Sequence, residues 1–418
     1  MTEKMSATDP APAPSVMQWG DALSTASDLA DAVADCAAQL ALLVPAESLP
    51  FDLLFAFCAP DYPGIEHLPA LLAEAVPHVH LLGCGGRGLI ATGREIEFSP
   101  ALALVGARLP GVTIRPFHLT AGALSDAGPS PSEWERLLGV PRQGPHGPEQ
   151  HHFVVLADPF TFPAEDLIAG LDFAYAGARV AGGLASGADA PGGSMLFLDG
   201  TTLREGAVGV ALEGALEMET VVAQGVRPVG PSFMVTRAEA HLLQELDGEP
   251  SLAVLGRMFG ELDEEEQELA RHALFLGVAQ NAGIDAPEHG EYLIRNMLGV
   301  TQDESALVVG ERLRAGQLVR FHVRDAESSS GDLVQMLGAY RSRREEGPAA
   351  AGALLFSCLG RGLGLYGESG HDSRVFGSVV GPVPLGGFFC NGEIGPVGDA
   401  TYLHGYTSVF AVFHPPLD

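Results

Sequence analysis

Two stretches of this chain follow one pattern, and that pattern decides the predicted fold. The first, "FDLLFAFCAPDYPGIEHLPALLAEAVPHVHLLGCGGRGLI" (residues 51–90), reads as a buried strand, a turn, a short helix, a second strand and a Gly-rich turn. The second, "HHFVVLADPFTFPAEDLIAGLDFAYAGARVAGGLASGAD" (residues 151–189), has the same order. Pro60 and Pro159 stand at equivalent places, 99 residues apart. The sequence therefore predicts an internal duplication of one αβ unit.

The duplication fits into a two-domain organisation. We predict a disordered tail at 1–18, an N-terminal domain at 19–228 and a C-terminal αβ domain at 229–415, with the two copies at 51–118 and 151–225. Strands and helices alternate without the strict βαβ spacing of a doubly wound sheet. The predicted class is therefore α+β, in which duplicated αβ units form mixed or antiparallel sheets covered by helices on their outer faces, followed by a second αβ domain.

Two local patterns predict helices. Apolar residues at alternating four- and three-residue steps from Ala22 to Leu43 predict a helix over 21–44, whose stripe is expected to cover a sheet of its own domain. The tetrad "TRAE" at 236–239 has the pattern of a capping box. It predicts a helix that begins there and ends at Gly248.

The charge balance argues against several classes of partner. The 418 residues include 53 acidic and 23 basic side chains, for a net charge of −30, and a field of that sign repels nucleic-acid phosphates and anionic lipid surfaces. Lys4 is the only lysine, so we expect neither a Schiff-base lysine nor a P-loop lysine in the folded body. Because no signal peptide or apolar span of about 20 residues is evident, we expect a cytoplasmic protein without nucleic-acid or membrane partners.

The sequence predicts neither a cofactor nor a metal. The five cysteines are scattered and lack C-x-x-C spacing, unlike a disulfide framework or a zinc ribbon. The Gly-rich runs at 83–88 and 362–367 satisfy G-x-G-x-x-G, but neither is followed by the amphipathic helix start that a dinucleotide site requires. His78 and His80 share one face of a predicted strand without evident further ligands, so we interpret them as ordinary polar side chains.

Charged residues at the ends of two apolar strands are the strongest candidates for function. Arg361 lies in "LLFSCLGRG" and Glu393 in "GGFFCNGEIGP", and in both the charge follows an apolar run and stands among glycines. Either the two residues pair with each other, or they bind the carboxylate and the ammonium of a small zwitterionic ligand. The Gly-rich turns of the two copies are expected to line the same pocket. The predicted ligand-binding residues are Arg361, Glu393, Asn391, Cys358, Arg87, Gly85 and Ser186.

Two other functions stay open on the residues alone. Cys358 or Cys84 could serve a thiol-dependent hydrolase or redox enzyme, although an inert buried thiol is the simpler interpretation and no catalytic residue is assigned. The possible acid and base partners in the same domain as Cys358 are His371, Asp372 and His404. The chain could also be an interaction scaffold that uses its acidic first helix.

Several ordered motifs resemble the FIST family (F-box and intracellular signal transduction). The N-terminal half contains "DLLFAFCAP", "HLLGCGGRGLI", "RVAGGLASG" and "FLDGTTLREGAVGVALEG". The C-terminal half contains "PSFMVTRAEAHLLQELDGEPSLAVL", "VRFHVRDAESSSGDLVQML", "ALLFSCLGRG" and "GGFFCNGEIGP". The resemblance covers roughly residues 50–410 and implies a FIST N-terminal domain at 19–228 and a FIST C-terminal domain at 229–415.

The resemblance also implies a function. FIST domains are regarded as sensory modules that bind small ligands, with amino acids suggested. We therefore expect a sensor in signal transduction without catalysis. We recognise no kinase, methyl-accepting or F-box segment, so the expected output passes to a separate signalling partner. The resemblance carries over no catalytic residue and no cofactor.

Overall fold

The computed structural model of the chain describes residues 16–44, 50–128, 130–142, 151–280, 292–303 and 305–416. Most of the predicted disordered tail at 1–18 lies outside these residues. Gln18 already belongs to the first strand, because that strand pairs along its whole length with a later strand of the same unit.

The first αβ unit alternates strands and helices and then ends in three consecutive strands. Its elements are β1 (Gln18–Ser24), α1 (Leu29–Leu43), β2 (Phe51–Cys58), α2 (Leu68–Ala75), β3 (His78–Gly85), β4 (Gly88–Ala91), β5 (Arg94–Glu97) and β6 (Leu102–Arg108). The side chain of Asp28 accepts hydrogen bonds from the N–H groups of Ala30 and Asp31 and so starts α1. A short 3-10 turn, Ile65–His67, leads into α2.

The second unit repeats this order with a different first helix. Its elements are β7 (Val112–Leu119), α3 (Ala121–Ser125), α4 (Pro131–Leu138), β8 (His152–Ala157), α5 (Ala164–Ala174), β9 (Arg179–Leu184), β10 (Leu196–Leu198), β11 (Thr201–Leu203) and β12 (Ala207–Gly214). Ser130 and Glu133 form a capping box at the start of α4.

A third copy of the unit, which the sequence analysis did not recognise, follows and is interrupted by an inserted sheet. It begins with β13 (Glu217–Ala223), a strand that lies within the predicted second copy (151–225) but pairs in the third sheet. The inserted elements are β14 (Arg227–Glu239), β15 (Leu242–Leu246), β16 (Glu249–Pro250), α6 (Ser251–Glu261), α7 (Glu264–His272), β17 (Leu274–Ala279), β18 (Tyr292–Val300), β19 (Leu307–Val309) and β20 (Leu318–Val323). The unit then continues through α8 (Ala326–Arg343), β21 (Gly352–Cys358), α9 (Leu363–Tyr366), α10 (His371–Val379), β22 (Leu385–Cys390), β23 (Glu393–Val397), β24 (Ala400–His404) and β25 (Ser408–His414).

The three units build three six-stranded sheets with one strand order. In each sheet the two strands that flank a helix are parallel neighbours: β2 and β3, β8 and β9, or β21 and β22. Each sheet is completed by a hairpin from another unit, because β10–β11 joins the first sheet, β23–β24 the second and β4–β5 the third. This exchange ties the sheets into one closed barrel.

Three glycines stand at the same place in the three parallel pairs. A Cβ atom on Gly83, Gly182 or Gly387 would lie 2.0, 1.8 or 1.8 Å from a carbonyl oxygen of the neighbouring strand. No side chain fits at that separation, so the parallel strands can pack this closely only when glycine occupies the position. The shared glycine therefore marks equivalent positions in all three units.

The barrel encloses one apolar core to which every unit contributes. Phe55, Leu156 and Phe356 lie in that core on the three central strands. The outer faces of the sheets pack against α1 and α2, α4 and α5, and α8 and α10. Because both faces are covered, these strands are apolar almost throughout. The predicted class is confirmed: mixed sheets with helices on the outer faces.

The inserted sheet has its own core and adjoins the third unit. Its seven strands follow the order β14-β20-β17-β18-β19-β15-β16, and α6 and α7 contribute Val254, Met258 and Ala270 to its core. It leaves the third unit after β13 and returns just before α8, so two adjacent chain segments connect it to the barrel. The boundary between N-terminal and C-terminal domains stays a prediction.

The predicted helix over 21–44 is wrong in its first third. Residues Gln18–Ser24 form β1, which pairs antiparallel with β6, and the helix begins only at Leu29. Ladder hydrogen bonds to β6 and the cap at Asp28 decide the boundary, whereas the three- and four-residue spacing of alanines continues into the strand by coincidence. Leu43 is exposed rather than part of the buried stripe.

The predicted helix at 236–248 is also wrong. The tetrad at 236–239 ends the long strand β14, and the chain turns at Ala240, which has a positive φ of 52°, into β15. The Thr236 hydroxyl accepts a hydrogen bond from the Gly248 N–H at 2.9 Å. The side chain that suggested a helix cap therefore closes a loop beside the hairpin.

Candidate functional site

The carboxyl ends of the three parallel strand pairs meet at one end of the barrel, which we call the mouth. The Ser186 N–H donates to the Gly85 carbonyl at 3.2 Å, and the Asn391 N–H donates to the Leu184 carbonyl at 3.1 Å. The first contact joins the second unit to the first, and the other joins the third unit to the second. In α/β folds, ligands commonly bind outside the carboxyl ends of parallel strands. A ligand site is therefore expected at the mouth.

Arg87, Ser186 and Asn391 are equivalent residues at the mouth, each four positions after its shared glycine. The Ser186 hydroxyl donates to the Phe389 carbonyl at 2.5 Å and accepts from the Arg87 N–H at 3.0 Å, so it links the first and third units. The Asn391 amide donates to the Ala185 carbonyl at 3.2 Å. Four predicted residues, Gly85 included, thus form one group, the axial ring, whose hydrogen bonds mainly join units to one another.

An open cleft of about 650 Å³, which we call the axial cleft, lies beside the axial ring. It is lined by Pro60, Asp61, Arg87, Gly88, Glu97, Phe98, Gly187, Leu359 and Phe389. The Arg87 side chain is half exposed and pairs with Asp189. Because that partner is itself exposed, the ion pair contributes little to stability and is easily exchanged for a ligand.

Arg361 lies next to the mouth and is fully buried. Its Nε donates to the Asp372 Oδ2 at 2.7 Å and its Nη2 to the Asp372 Oδ1 at 3.1 Å, which is bidentate pairing. Nη2 also donates to the Tyr366 hydroxyl at 2.6 Å. Burial by itself would lower the pKa of the Arg361 guanidinium, but the Asp372 carboxylate holds that pKa above its ordinary value.

Asp372 is the centre of a buried polar network. It accepts hydrogen bonds from the Ser408 hydroxyl at 2.6 Å and the Ser357 hydroxyl at 3.2 Å, and His371 lies 3.0 Å away through Nδ1. Burial by itself would raise the pKa of Asp372, yet the Arg361 charge and these hydrogen bonds hold it well below its usual range. The carboxylate is therefore ionised and neutralises Arg361.

Glu393 is fully buried at the start of β23. Its Oε2 accepts from the Thr407 N–H at 3.1 Å and from the Thr407 hydroxyl at 2.7 Å. Its Oε1 is buried without a hydrogen-bond partner among the residues that the structure describes. Burial raises the pKa of the Glu393 carboxyl to about 8, and the bonds from Thr407 and the charges of Arg361 and Arg324 offset this only in part.

The raised pKa of Glu393 predicts a pH dependence of stability. Between its ordinary pKa of about 4.3 and the folded value of about 8, the folded state binds more protons at Glu393 than the unfolded state does. The free energy of unfolding should therefore fall as the pH rises through this window. Urea denaturation at several pH values should show a shallower fall for Glu393→Gln than for the native chain. Equal slopes would contradict the assignment.

Arg324 is the functional candidate that the sequence analysis missed. It follows β20 and is almost fully buried. Its Nε and Nη2 atoms are buried without a hydrogen-bond partner among the described residues, and its guanidinium lies 5.2 Å from the centre of the Tyr406 ring. Burial, followed by the charge of Arg361, lowers the pKa of Arg324. The signal was present in "LVRFHVRD", where an arginine follows an apolar strand as Arg361 does.

The charge cluster, as we call it, consists of Cys358 together with Arg324, Arg361, Asp372 and Glu393. The Cys358 thiol is half buried at the end of β21. Burial, followed by the negative charge of Glu393, raises the pKa of Cys358 to about 11, while Arg324 acts in the opposite direction. Only about one thiol in ten thousand is ionised at pH 7 with such a pKa. The structure thus brings three predicted residues, Arg361, Glu393 and Cys358, into one cluster.

The remaining candidate residues from the sequence, Cys84, His78 and His80, are explained by burial or by contacts with neighbouring groups. Cys84 is fully buried, and burial raises its pKa well above the ordinary value. His78 lies 2.6 Å from the Val76 carbonyl, and His80 pairs with Asp199. Within the described ranges, no group of three or more His, Cys, Asp and Glu residues is placed to hold a metal ion.

One expectation about the Gly-rich runs is corrected. A helix does follow the run at 362–367, since α10 begins at His371. Its N-terminal N–H groups are occupied by Glu95, whose carboxylate accepts from Gly370 at 3.1 Å and from Ser373 at 2.8 Å. That carboxylate takes the place that a phosphate would need.

Family models match most of this architecture. The model described as the FIST N domain matches residues 52–249, and the model described as the FIST C domain matches residues 251–396. The chain belongs to the FIST family. FIST domains are sensory domains that bind small ligands in signalling proteins. The boundary between the two models falls inside the inserted sheet of this FIST chain.

Relatives of this FIST chain include proteins of similar length. An uncharacterized protein of Mycobacterium tuberculosis (strain CDC 1551 / Oshkosh) is 33% identical over 397 residues, which are 95% of this chain and 100% of that protein. An uncharacterized protein of Mycobacterium bovis is 32% identical, covering 95% of this chain and 99% of that protein. An F-box/LRR-repeat protein of Arabidopsis thaliana is 24% identical over 205 residues, 44% of this chain and 37% of that protein.

Among solved structures, a cyanuric acid hydrolase from A. caulinodans is similar at 11% identity with a TM-score of 0.36, covering 96% of this chain and 99% of that chain. This likeness is too weak to bear on function. Within the described ranges, none of the helices combines the length and the hydrophobicity that crossing a bilayer requires.

Proposed function

We propose that this FIST protein is a sensor that binds a small metabolite, an amino acid or a similar zwitterion, in the charge cluster. One observation carries the proposal: Arg324 and Glu393 both bury polar atoms that have no partner within the described part of the chain. An unpaired buried hydrogen-bonding group costs about 1–3 kcal/mol, and more when it is charged. A ligand that supplies both partners would remove this penalty, which favours the bound state.

The chemistry of the two unpaired groups suggests the ligand class. Nε and Nη2 lie on one edge of the Arg324 guanidinium, the edge that binds a carboxylate through two parallel hydrogen bonds. The Glu393 Oε1 can accept from an ammonium, an amide or a hydroxyl group. An acceptor and a donor on one small molecule fit this pair.

The remaining predicted residues have other roles in the proposal. Arg361 is held by Asp372, so we assign it to positioning the cluster rather than to direct contact with the ligand. Cys358 is assigned to the partly exposed edge of the cluster, since it is half buried and its Sγ accepts from the Gly360 N–H at 3.5 Å. Gly85, Arg87, Ser186 and Asn391 shape the mouth next to the cluster.

The charge cluster is also connected to the inserted sheet. Tyr406 contacts Arg324 through its ring, donates from its hydroxyl to the Asn296 Oδ1 at 2.8 Å, and packs with its ring centre 4.6 Å from that of Phe275. A ligand that engages Arg324 would therefore alter contacts between the barrel and the inserted sheet. We propose that a separate signalling partner, in the cytoplasm, responds to the inserted sheet.

Calorimetric titration of the full chain with single amino acids tests the proposal. At least one should bind saturably, and Arg324→Gln should weaken that binding at least tenfold, because a charge-assisted hydrogen bond contributes about 1.5–3 kcal/mol. Arg320→Gln is the matched control: Arg320 lies on β20, the strand that Arg324 follows, but its side chain donates to the Gly230 carbonyl. No binding by any amino acid, or equal loss in both variants, would contradict the proposal.

Glu393 gives the titration a second readout. With a pKa of about 8, the Glu393 carboxyl is mostly protonated at pH 7, and an ammonium bound beside it would lower that pKa by favouring the ionised form. Binding of an amino acid should therefore release a proton, which titrations in buffers of different ionisation enthalpy detect. Glu393→Gln should abolish the proton release. Unchanged release would place the ammonium elsewhere.

The alternative function, a thiol-dependent enzyme, requires a reactive Cys358 thiol. The Cys358 pKa of about 11 predicts the opposite: iodoacetamide should label this thiol at least about tenfold more slowly than it labels glutathione at neutral pH. The other four cysteines are buried, so labelling of the native chain compared with Cys358→Ser reports on this thiol. Rapid, selective labelling of Cys358 would favour the enzyme.

A further inference from the structure

A second cavity, of about 600 Å³, lies at the end of the barrel opposite the mouth. It is placed where the strands β8 and β9 begin and where β23 ends, beside β13, which pairs on only one side among the described strands. It shares no lining residue with the axial cleft or the charge cluster. Any ligand it takes is therefore independent of the proposed sensory site.

The lining of this cavity carries an excess of positive charge. It contains three arginines, Arg179, Arg343 and Arg344, and two carboxylates, Glu217 and Glu219. Arg344 binds both carboxylates, at 2.6 Å to the Glu217 Oε2 and through its Nε to Glu219. This cationic lining is unusual in a chain whose net charge is −30.

Two of the arginines are available to a ligand. Arg343 is 58% exposed and lies 3.9 Å from Glu219, too far for a hydrogen bond. Arg179 is exposed and makes no ion pair with another described residue. Both guanidinium groups can therefore turn towards an anion in the cavity.

His152 adds a buried polar atom without a partner. It is the first residue of β8, lines the cavity and is almost completely buried. Its Nε2 lies 3.3 Å from both the Leu216 carbonyl oxygen and the Met218 nitrogen. Its Nδ1 has no hydrogen-bond partner among the described residues. A buried ring nitrogen of this kind calls for a partner from a water or a ligand.

We propose that this cavity binds a small organic oxyanion, a carboxylate or a phosphate monoester. Arg179 and Arg343 hold its charged group, since guanidinium groups pair with planar and tetrahedral oxyanions through several donors. His152 hydrogen-bonds an oxygen of the ligand through Nδ1. Met336 and Val397, which also line the cavity, contact its apolar part.

Titration of the full chain with phenyl phosphate and with benzoate at low salt tests this assignment. At least one should bind at a single site, and the one that binds more tightly identifies the oxyanion. The double variant Arg179→Gln, Arg343→Gln should weaken binding at least tenfold. Arg136→Gln is the matched control, because Arg136 is 77% exposed and lies outside the cavity.

The outcomes separate this site from the sensory site. Arg324→Gln should leave phenyl phosphate and benzoate binding unchanged, and the double variant should leave amino-acid binding unchanged. If the double variant unfolds, Arg343→Gln alone serves as the test, because the Arg343 side chain is mostly in solvent and its loss should leave the fold intact. This single variant should weaken binding at least threefold. Absence of binding to either probe, or affinity that does not respond to these arginines, would overturn the proposal.

Discussion

Replacing Arg361 with methionine should lower the free energy of unfolding by about 3–5 kcal/mol, the range for removing one partner of a buried ion pair. Arg361 is 0% exposed and Asp372 2% exposed, so the substitution leaves an ionised carboxylate buried without its counter-charge. Chemical denaturation followed by circular dichroism measures the change. Because Asp372 keeps its bonds from Ser357 and Ser408, the chain should still fold at low temperature.

A second substitution separates charge from packing at this pair. Asp372→Asn in the Arg361→Met background removes the uncompensated charge and should recover part of the lost stability. Arg271→Met is the surface control, since the Arg271–Glu268 pair and the contact of Arg271 with the Phe259 ring are exposed, and their loss should cost at most about 1 kcal/mol. A loss for Arg361→Met no larger than for this control would mean that the buried pair is not formed.

Replacing Gly387 with alanine should lower the free energy of unfolding by at least about 4 kcal/mol, or prevent folding altogether. The new Cβ would lie 1.8 Å from the Leu355 carbonyl oxygen, and both groups belong to the backbone of adjacent parallel strands. Neither can move without breaking the ladder between β21 and β22. Soluble yield and the urea midpoint measure the effect.

Gly377 provides the matched control for Gly387. It lies in α10, and a Cβ added there meets no atom within 4 Å apart from its neighbours in the helix itself. Gly377→Ala should therefore raise the stability by about 0.5–1 kcal/mol, as expected for glycine within a helix. If Gly387→Ala folds as well as Gly377→Ala, the parallel strands β21 and β22 do not pack closely at Gly387, and the equivalence of Gly83, Gly182 and Gly387 fails.

The duplication could be predicted from the sequence because the strands and helices of each of the first two copies follow one another without interruption. Residues 51–90 and 151–189 place strand, helix and strand in one continuous stretch. The third copy escaped because the inserted sheet, residues 227–323, separates β13 from the rest of its unit. The hairpin exchange among the three sheets also left no local signal, since which sheet a hairpin joins depends on tertiary packing.

The candidate site was predicted in part for a similar reason. Arg361 and Glu393 stood out because a charge at the end of an apolar strand among glycines has no local purpose. Arg324 shows the same pattern, a charge directly after an apolar strand. It lies where the chain returns from the inserted sheet, so the sequence did not connect it with Arg361 and Glu393. The pairing of Arg361 with Asp372 was not predictable, because it depends on how the ten intervening residues fold, including the short helix α9.

The crystal structure of the chain with a bound amino acid tests the central claim most directly. We expect the carboxylate of the ligand within about 3.2 Å of the Arg324 Nε and Nη2, and its ammonium at the same distance from the Glu393 Oε1. A ligand found only in the axial cleft, with the Arg324 and Glu393 atoms still unpaired, would contradict the claim.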